Sequence, residues 1–146
     1  NFQLIRCMDP LLRQSDAGRA VFVTSGVARS PVAYFGAYAA SKAGVRAMVR
    51  VMASELSPRN IRVNVVAPGA VRTPIWGAAI ATPEAEKVFE QRIGKTTPLG
   101  RIGEPDHISK TVLFLASDDA AHVQGQELFI DGGATASPAG APIYRG

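Results

Sequence analysis

The chain has 146 residues, of which 47% are hydrophobic and 19% charged, and its net charge is +4. This composition is typical of one globular domain and excludes a disordered chain. The arginines are scattered rather than interleaved with aromatic residues, which argues against a nucleic-acid partner. No apolar run reaches the roughly 18 residues of a membrane span, no signal-peptide pattern opens the chain, and Cys7 is the single cysteine. We therefore expect a cytoplasmic protein with no membrane partner.

Hydrophobic periodicity predicts alternating helices and strands. In chain order we predict a helix over 1–14, a strand over 19–25, a helix from about 37 to 57, a strand over 60–69, helices over 83–93 and 106–117, and a strand over 125–133. This alternation predicts an α/β fold with a parallel sheet and right-handed crossovers.

Three strands are few for a parallel sheet, which must be covered on both faces. The pattern also opens inside a helix. We therefore expect residues 1–133 to be the C-terminal half of a larger, doubly wound domain, with residues 134–146 as a flexible tail. Such a half would leave a hydrophobic strand edge exposed, and residues 20–24 are the best candidate for it.

A lysine lies on the apolar stripe of the helix that begins near residue 37. At 100° per residue, Lys42 and Tyr38 fall on the same face as Val49 and Leu56, one turn apart from each other. An ammonium on a face that packs against a sheet is costly unless it is paired or functional. The structural explanation is a lysine whose aliphatic stem packs on the protein while its ammonium group reaches water. The spacing alone does not decide between this explanation and a functional one.

Three stretches converge on one edge of the predicted sheet. Ser25 ends the first strand, Tyr38 begins the following helix, and Pro68 and Gly69 end the second strand. Ligands of open parallel sheets bind beyond the carboxyl ends of the strands. A phenol whose ionised form is favoured by an ammonium can exchange a proton with an alcohol oxygen, and a serine hydroxyl can hydrogen-bond that oxygen. This is the proton half of a carbonyl/alcohol interconversion, and a cofactor must supply the hydride.

The stretches VFVTSG, YAASK, IRVNVVAPGAVRTP and PLGRIGEPDHISKTVLFLASDDAAHVQGQELFIDGG follow one another in this order. Together they resemble the short-chain dehydrogenase/reductase family over nearly all of residues 1–133, nearest the branch of 3-oxoacyl-carrier-protein reductases. The resemblance implies the C-terminal half of a Rossmann-type, doubly wound parallel sheet. It also implies an oxidoreductase that uses NAD or NADP to interconvert a ketone and a secondary alcohol, free or carrier-bound, and that assembles as a dimer or tetramer.

The resemblance assigns a role to each candidate residue. Tyr38 would be the general acid/base, Lys42 would activate it and bind the nicotinamide ribose, and Ser25 would orient the substrate carbonyl. The cofactor-binding residues would be Tyr38, Lys42, Pro68, Gly69, Val71 and Thr73.

The resemblance also makes residues 74–98 a substrate lid. Trp76 and Ile80 of the lid, and Tyr34 and Phe35 before the helix, are candidate substrate contacts, although packing explains them as well. Asn64 either has a direct role in the site or uses its side-chain amide to satisfy backbone groups. The two histidines, His107 and His122, lie outside the crevice and lack metal-ligand spacing, so no metal site is predicted.

The family's glycine-rich loop T-G-x-x-x-G-x-G, which holds the cofactor pyrophosphate, does not occur in the 146 residues. The residue that selects NAD or NADP is absent too, and the catalytic asparagine would fall about four positions before Asn1. We therefore expect the isolated chain to bind dinucleotide poorly and to be inactive.

Two alternatives to this oxidoreductase interpretation stay open. A sugar-nucleotide epimerase or dehydratase shares the tyrosine–lysine spacing, but the ending FLASDDA to DGG argues against it. A non-catalytic half-domain that acts as a binding or interaction module is the other alternative. The intact set of Ser25, Tyr38 and Lys42 argues against such a decayed module.

Overall fold

The computed structural model describes residues 1–136 and confirms an α/β fold. The elements are α1 (Phe2–Leu12), β1 (Gly18–Val23), α2 (Gly36–Leu56), β2 (Ile61–Pro68), α3 (Pro83–Thr96), α4 (Pro105–Ala116) and β3 (Glu127–Ile130), with 3₁₀ turns at Gly26–Ala28, Ser57–Arg59, Pro74–Ile80 and Asp118–Ala120. Beyond residue 136, the predicted flexible tail lies outside the described residues. Among residues 1–136, no helix combines the length and the apolar character needed to cross a membrane.

The three strands form one parallel sheet in the order β1–β2–β3. Gly18 pairs with Ile61 at the start of β1, and Val65 of β2 pairs with Glu127 of β3. The central strand β2 is buried along most of its length, because both of its faces are covered. Its sequence is accordingly a nearly continuous run of apolar residues. Strand β1 lies at an edge of the sheet, as predicted, and its last residue, Val23, is exposed.

Alternating side chains of β2 divide the core into two layers. Val63 and Val65 pack with residues of α2 on one face of the sheet. Val66 packs with Leu115 of α4 on the other face. The sheet is therefore covered by helices on both sides, as the doubly wound class requires.

The two crossovers of the sheet have opposite hands. All strand pairs are parallel and the chain moves in one direction across the sheet, from β1 to β2 to β3. The first crossover passes over the face that α2 covers, and the second passes over the opposite face through α4. The expectation that both are right-handed is therefore wrong for one of them. The right-handed preference arises where a strand leads into a helix that packs back onto the sheet, whereas the second connection runs through a 3₁₀ turn and two successive helices, α3 and α4.

The outer strands are shorter than predicted. Strand β1 ends at Val23 because Ser25 turns its side chain back to accept a hydrogen bond from the backbone N–H of Val27. Strand β3 is confined to four residues because glycines on both sides of it have positive φ, namely Gly125, Gly132 and Gly133. Serine capping and left-handed glycines end extended structure locally, even where the apolar pattern continues.

Two polar side chains that the sequence analysis did not single out join the elements. The amide of Gln124 accepts from the N–H of Val63 at 2.7 Å and donates to the carbonyl oxygens of Ala53 and Ile61. The guanidinium of Arg62 binds carbonyl oxygens around the end of α4, those of Leu115, Ser117 and Ala120. A cation at a helix C-terminus complements the helix dipole, so Arg62 fixes α4 against β2.

The Asp-Gly-Gly sequence after β3 forms a closed turn. The Asp131 carboxylate accepts from the N–H of Gly133 at 2.8 Å and from the N–H and hydroxyl of Thr135 at 2.9 and 2.6 Å. Gly132 has a φ of 63°, and a Cβ there would lie 2.5 Å from the Thr97 methyl carbon, so the turn requires glycine. Burial alone would raise the pKa of Asp131, but the hydrogen bonds from Thr135 and Gly133 outweigh it and hold this pKa below its ordinary value.

Substitution by alanine at two helix glycines should change the stability of the fold in opposite directions. A Cβ at Gly94 would lie 2.7 Å from the carbonyl oxygen of Gly100, whereas Gly44 has open space around it. We expect Gly94→Ala to lower the free energy of unfolding by about 1–3 kcal/mol, because backbone must move. Gly44→Ala should raise it by about 0.5–1 kcal/mol through helix propensity. Urea unfolding of both variants measures these changes, and changes of the same sign would contradict this packing.

The Asp131 turn should stabilise the fold in a pH-dependent way. Because the folded-state pKa of Asp131 lies below the ordinary 3.8, its contribution is present above that pH and is lost as pH falls through the folded-state pKa. We expect Asp131→Asn to lower the free energy of unfolding by about 1–2 kcal/mol at pH 7 and by less at pH 3. Urea unfolding at both pH values tests this, with the exposed Asp16→Asn as the matched control. A deficit that stays constant down to pH 3 would argue against a charged Asp131 in the turn.

Candidate active site

Ser25 lies just beyond the carboxyl end of β1. Its backbone is extended, and its side-chain oxygen caps the following 3₁₀ turn by accepting from the Val27 N–H at 3.3 Å. The next residue, Gly26, is buried, and a Cβ there would lie 3.7 Å from the carbonyl oxygen of Pro68 at the end of β2. Ser25 therefore sits where the ends of β1 and β2 meet. Its oxygen accepts the capping bond, so its hydroxyl proton can be donated to a ligand.

Lys42 is half-buried, and its ammonium has a partner. Its Nζ donates to the carbonyl oxygen of Val23, the last residue of β1, at 3.1 Å. This bond offsets the cost of bringing the cation onto the packed face of α2. An ammonium has three N–H donors, so within residues 1–136 this bond leaves two of them for a ligand.

Tyr38 lies in the first turn of α2, and 42% of its surface is exposed. The Lys42 Nζ lies 5.8 Å from the centroid of the Tyr38 ring, which confirms that the two residues share a helix face. Phe35 packs edge-on against the same ring, with centroids 6.1 Å apart. The prediction that this face packs against the sheet holds for Lys42 but is wrong for Tyr38. Since Lys42 already reaches the last residue of β1, a residue one turn earlier extends past the sheet.

Gly69 has a packing reason to be glycine. Its N–H donates to the carbonyl oxygen of Ile130 at 3.1 Å, and a Cβ would lie 2.7 Å from both Cα and Cβ of Asp131. The chain therefore passes close to the end of β3 at this point, and any side chain would push the two segments apart. This requirement exists whether or not Gly69 also contacts a cofactor.

Val71 and Thr73 lie farther along the same segment. Val71 forms an isolated parallel bridge with Gly103, and the Thr73 hydroxyl is directed at the Val71 carbonyl oxygen at 3.5 Å. Their described contacts are with this segment, Trp76 and Gly103 rather than with Tyr38 or Lys42. The structure thus brings Ser25, Lys42 and the end of β2 together, and the participation of Val71 and Thr73 in one common site stays a prediction.

The predicted lid consists of the 3₁₀ turn Pro74–Ile80 and helix α3. The indole N–H of Trp76 donates to the carbonyl oxygen of Val71 at 2.6 Å, and its ring packs on Phe89 of α3 with centroids 4.7 Å apart. Trp76 thus fastens the lid to the segment after β2, in agreement with a packing role. Ile80 is half-buried and Tyr34 is fully exposed. These exposures do not decide whether either residue contacts a substrate, so both assignments stay predictions.

Arg72 holds the lid through charges, and the sequence analysis missed it. Its guanidinium forms ion pairs with Glu86 and Glu90 of α3 and with Glu104 at the start of α4, the last at 3.0 Å. Hydrogen bonds to Glu104 and Glu90 raise the pKa of Arg72 further above its usual value. Glu86 and Glu90 are four residues apart, so they lie on one helix face. This spacing was the feature of the sequence that could have indicated a common cationic partner.

The remaining polar candidates have structural roles or lie apart. Asn64 is buried, donates to the carbonyl oxygen of Val123 at 2.8 Å and accepts from the N–H of Gln126 at 2.9 Å, so its amide serves the backbone. His107 accepts from the Glu104 N–H at the start of α4, and His122 is exposed. Within residues 1–136, no cluster of three His, Cys, Asp or Glu side chains could hold a metal ion.

Removing the Arg72 charge should loosen the lid. In Arg72→Gln, three glutamates lose their common cation, and we expect amide exchange in residues 83–96 to become about two- to fivefold faster. Hydrogen–deuterium exchange measures this directly. Arg92→Gln, an exposed arginine on the same helix, is the control, and equal protection in both variants would show that the ion pairs do not hold α3.

A family model described as enoyl-(acyl carrier protein) reductase matches residues 1–135. The chain is 40% identical over 126 residues to a short-chain dehydrogenase/reductase of Armillaria gallica, covering 84% of this chain and 48% of that protein. It is 48% identical over 96 residues to the 3-oxoacyl-[acyl-carrier-protein] reductase of Thermotoga maritima, covering 66% and 37%. A gluconate 5-dehydrogenase from Burkholderia cenocepacia, solved with NADP and tartrate, matches with a TM-score of 0.83 and 28% identity, covering 93% of this chain and 52% of that one.

These matches confirm the resemblance seen in the sequence and the Rossmann-type fold class. The chain spans about half the length of the curated relatives that it matches, 48% of the first and 37% of the second. The family model extends over most of the chain, from residue 1 to residue 135. The chain belongs to the short-chain dehydrogenase/reductase family, with relatives that include 3-oxoacyl-carrier-protein reductases.

Proposed function

We propose that this chain carries the catalytic residues of an oxidoreductase that uses NAD or NADP to interconvert a ketone and a secondary alcohol. The observation that supports this most directly is the bond from Lys42 to the carbonyl of Val23. It brings the start of α2, with Tyr38, to the edge of the sheet where Ser25 follows β1. A phenol, an ammonium and a hydroxyl at the carboxyl end of a parallel sheet form an acid–base set without a strong nucleophile.

In the reducing direction, Tyr38 gives its hydroxyl proton to the substrate oxygen, and the carbonyl becomes an alcohol. The Ser25 hydroxyl donates a hydrogen bond to the same oxygen while negative charge develops there. The Lys42 ammonium stabilises the phenolate that remains on Tyr38. The cofactor, when bound, supplies the hydride to the carbonyl carbon and is thereby oxidised. Oxidation of the alcohol uses the same residues in reverse, with Tyr38 as the base.

The residues that would hold the cofactor suit its nicotinamide end. Lys42 has N–H donors for the ribose hydroxyls. The remaining candidates are Pro68, the last residue of β2, and three residues of the segment that follows it, Gly69, Val71 and Thr73. The 146 residues contain no glycine-rich T-G-x-x-x-G-x-G loop for the pyrophosphate. We infer that these residues alone bind NAD or NADP weakly, and that turnover requires a pyrophosphate site from outside them.

We also propose that the protein works as a dimer or tetramer on a small or carrier-bound carbonyl compound. Helix α1 supports the assembly, because three exposed large apolar side chains fall on one face of it, namely Leu4, Met8 and Leu11. An apolar face of this kind on a helix is typical of a surface that another element or chain covers.

Conservative variants of the complete gene product test this function. We expect Tyr38→Phe to lower kcat at least about a hundredfold, because the proton donor is lost, while the unfolding temperature is unchanged. Ser25→Ala should also lower kcat. The measurement is NADH or NADPH consumption with cyclohexanone and with acetoacetyl-coenzyme A as probe ketones.

Tyr34→Phe is the matched control, because it removes only the hydroxyl of a fully exposed side chain and keeps the ring through which Tyr34 would contact a substrate. Equal activity of the Tyr34 and Tyr38 variants would contradict the proposal and favour a binding module. Conversion of a sugar nucleotide without net consumption of NADH or NADPH would instead favour an epimerase.

A further inference from the structure

An ion pair lies one helical turn below the Tyr38–Lys42 pair. Arg46 follows Lys42 by four residues on α2, and its Nε lies 3.1 Å from Oε2 of Glu127, the first residue of β3. The Glu127 side chain is only 8% exposed, and that of Arg46 is 29% exposed. A carboxylate this deeply buried is costly unless it is paired and hydrogen-bonded, so the pair is not an ordinary surface salt bridge.

Two further hydrogen bonds connect this pair to the loop that carries Ser25. The other carboxylate oxygen of Glu127 accepts from the Thr24 hydroxyl at 3.1 Å. The Arg46 guanidinium also donates to the carbonyl oxygen of Ala28, at 3.5 Å. Thr24 precedes Ser25 directly and Ala28 ends the 3₁₀ turn that Ser25 caps. The pair therefore contacts the loop on both sides of Ser25.

Strand β3 supports the same loop at a second point. The Arg29 guanidinium lies 5.3 Å from the centroid of the Phe129 ring. Phe129 is two residues after Glu127, so both side chains lie on one face of β3. The loop therefore rests on β3, and Arg46 ties that strand to the helix that carries Tyr38 and Lys42.

We propose that Arg46 and Glu127 are positioning residues that set the place of Ser25 relative to Tyr38 and Lys42. This inference rests on the proposed function, in which Ser25 and Tyr38 act on one substrate oxygen. Such groups must be held to within about 0.5 Å of the productive geometry, yet they come from separate elements. The Lys42 bond fixes α2 to β1 only as far as Val23. The ion pair supplies the link from α2 to the loop beyond that residue.

Variants of the complete gene product measure the effect on turnover. We expect Arg46→Met and Glu127→Gln to lower kcat about tenfold to a hundredfold with little change in KM, because misplacement of a hydrogen-bond donor is felt in the transition state. Arg46→Lys should restore part of the loss, since an ammonium can still pair with Glu127. Arg50→Met, an exposed arginine one turn farther along α2, should be close to wild type.

The Ser25→Ala background separates positioning from general support of the fold. If Arg46 acts through Ser25, Arg46→Met should cost little further kcat once the Ser25 hydroxyl is gone. An equal loss in both backgrounds would overturn the inference, because independent effects add. Should Glu127→Gln fail to fold, the three arginine variants carry the same comparison.

Hydrogen–deuterium exchange provides a readout that needs no substrate. In Arg46→Met and Glu127→Gln, we expect faster exchange of the amides of residues 24–29 and unchanged exchange in residues 83–96. If Tyr38→Phe and Ser25→Ala retain wild-type turnover, the proposed function fails, whatever the exchange shows. If they lose turnover while Arg46→Met matches Arg50→Met in kcat and in exchange, the proposed function stands and the positioning role is wrong.

Discussion

The hydrogen bond from the Lys42 ammonium to the carbonyl of Val23 sets the geometry of the candidate site. It joins α2 to the last residue of β1, so the first turn of the helix extends past the sheet with Tyr38 exposed. The same bond gives a half-buried cation the partner that its burial demands. The helix is therefore placed on the sheet by one of the groups that the proposed chemistry uses. A neutral residue at position 42 would remove both the anchor and the charge.

Around this anchor, charged and polar side chains hold the segments that leave regular structure. Arg46 and Glu127 hold the loop after β1, Arg72 holds α3 and the start of α4, and Asp131 closes the turn after β3. Strands satisfy their backbone groups in the sheet, whereas the backbone groups of loops bind one another, side chains or water. The apolar residues of β2 thus build the layers, and the charged residues decide where the loops at the edge of the sheet lie.

Local patterns in the sequence were enough for the order of the elements and for the face shared by Tyr38 and Lys42, because both depend on residues within one or two turns. They were not enough for the ends of β1 and β3, where a serine cap at Ser25 and glycines with positive φ interrupt an apolar run. The burial of Tyr38 was predicted wrongly for a related reason. Helical periodicity gives the direction of a side chain but not how far the sheet extends beneath it.

The α/β class and the family resemblance could be predicted from the amino-acid sequence, and so could the hypothesis that Ser25, Tyr38 and Lys42 act together, because each rests on residue types at fixed spacings. The opposite hands of the two crossovers follow from the tertiary fold, and so does the choice of carboxylates with which Arg46 and Arg72 pair. An arginine can pair with any acidic residue that the fold brings near it. Its partner is therefore fixed by the packing of helices on the sheet, which no local spacing encodes.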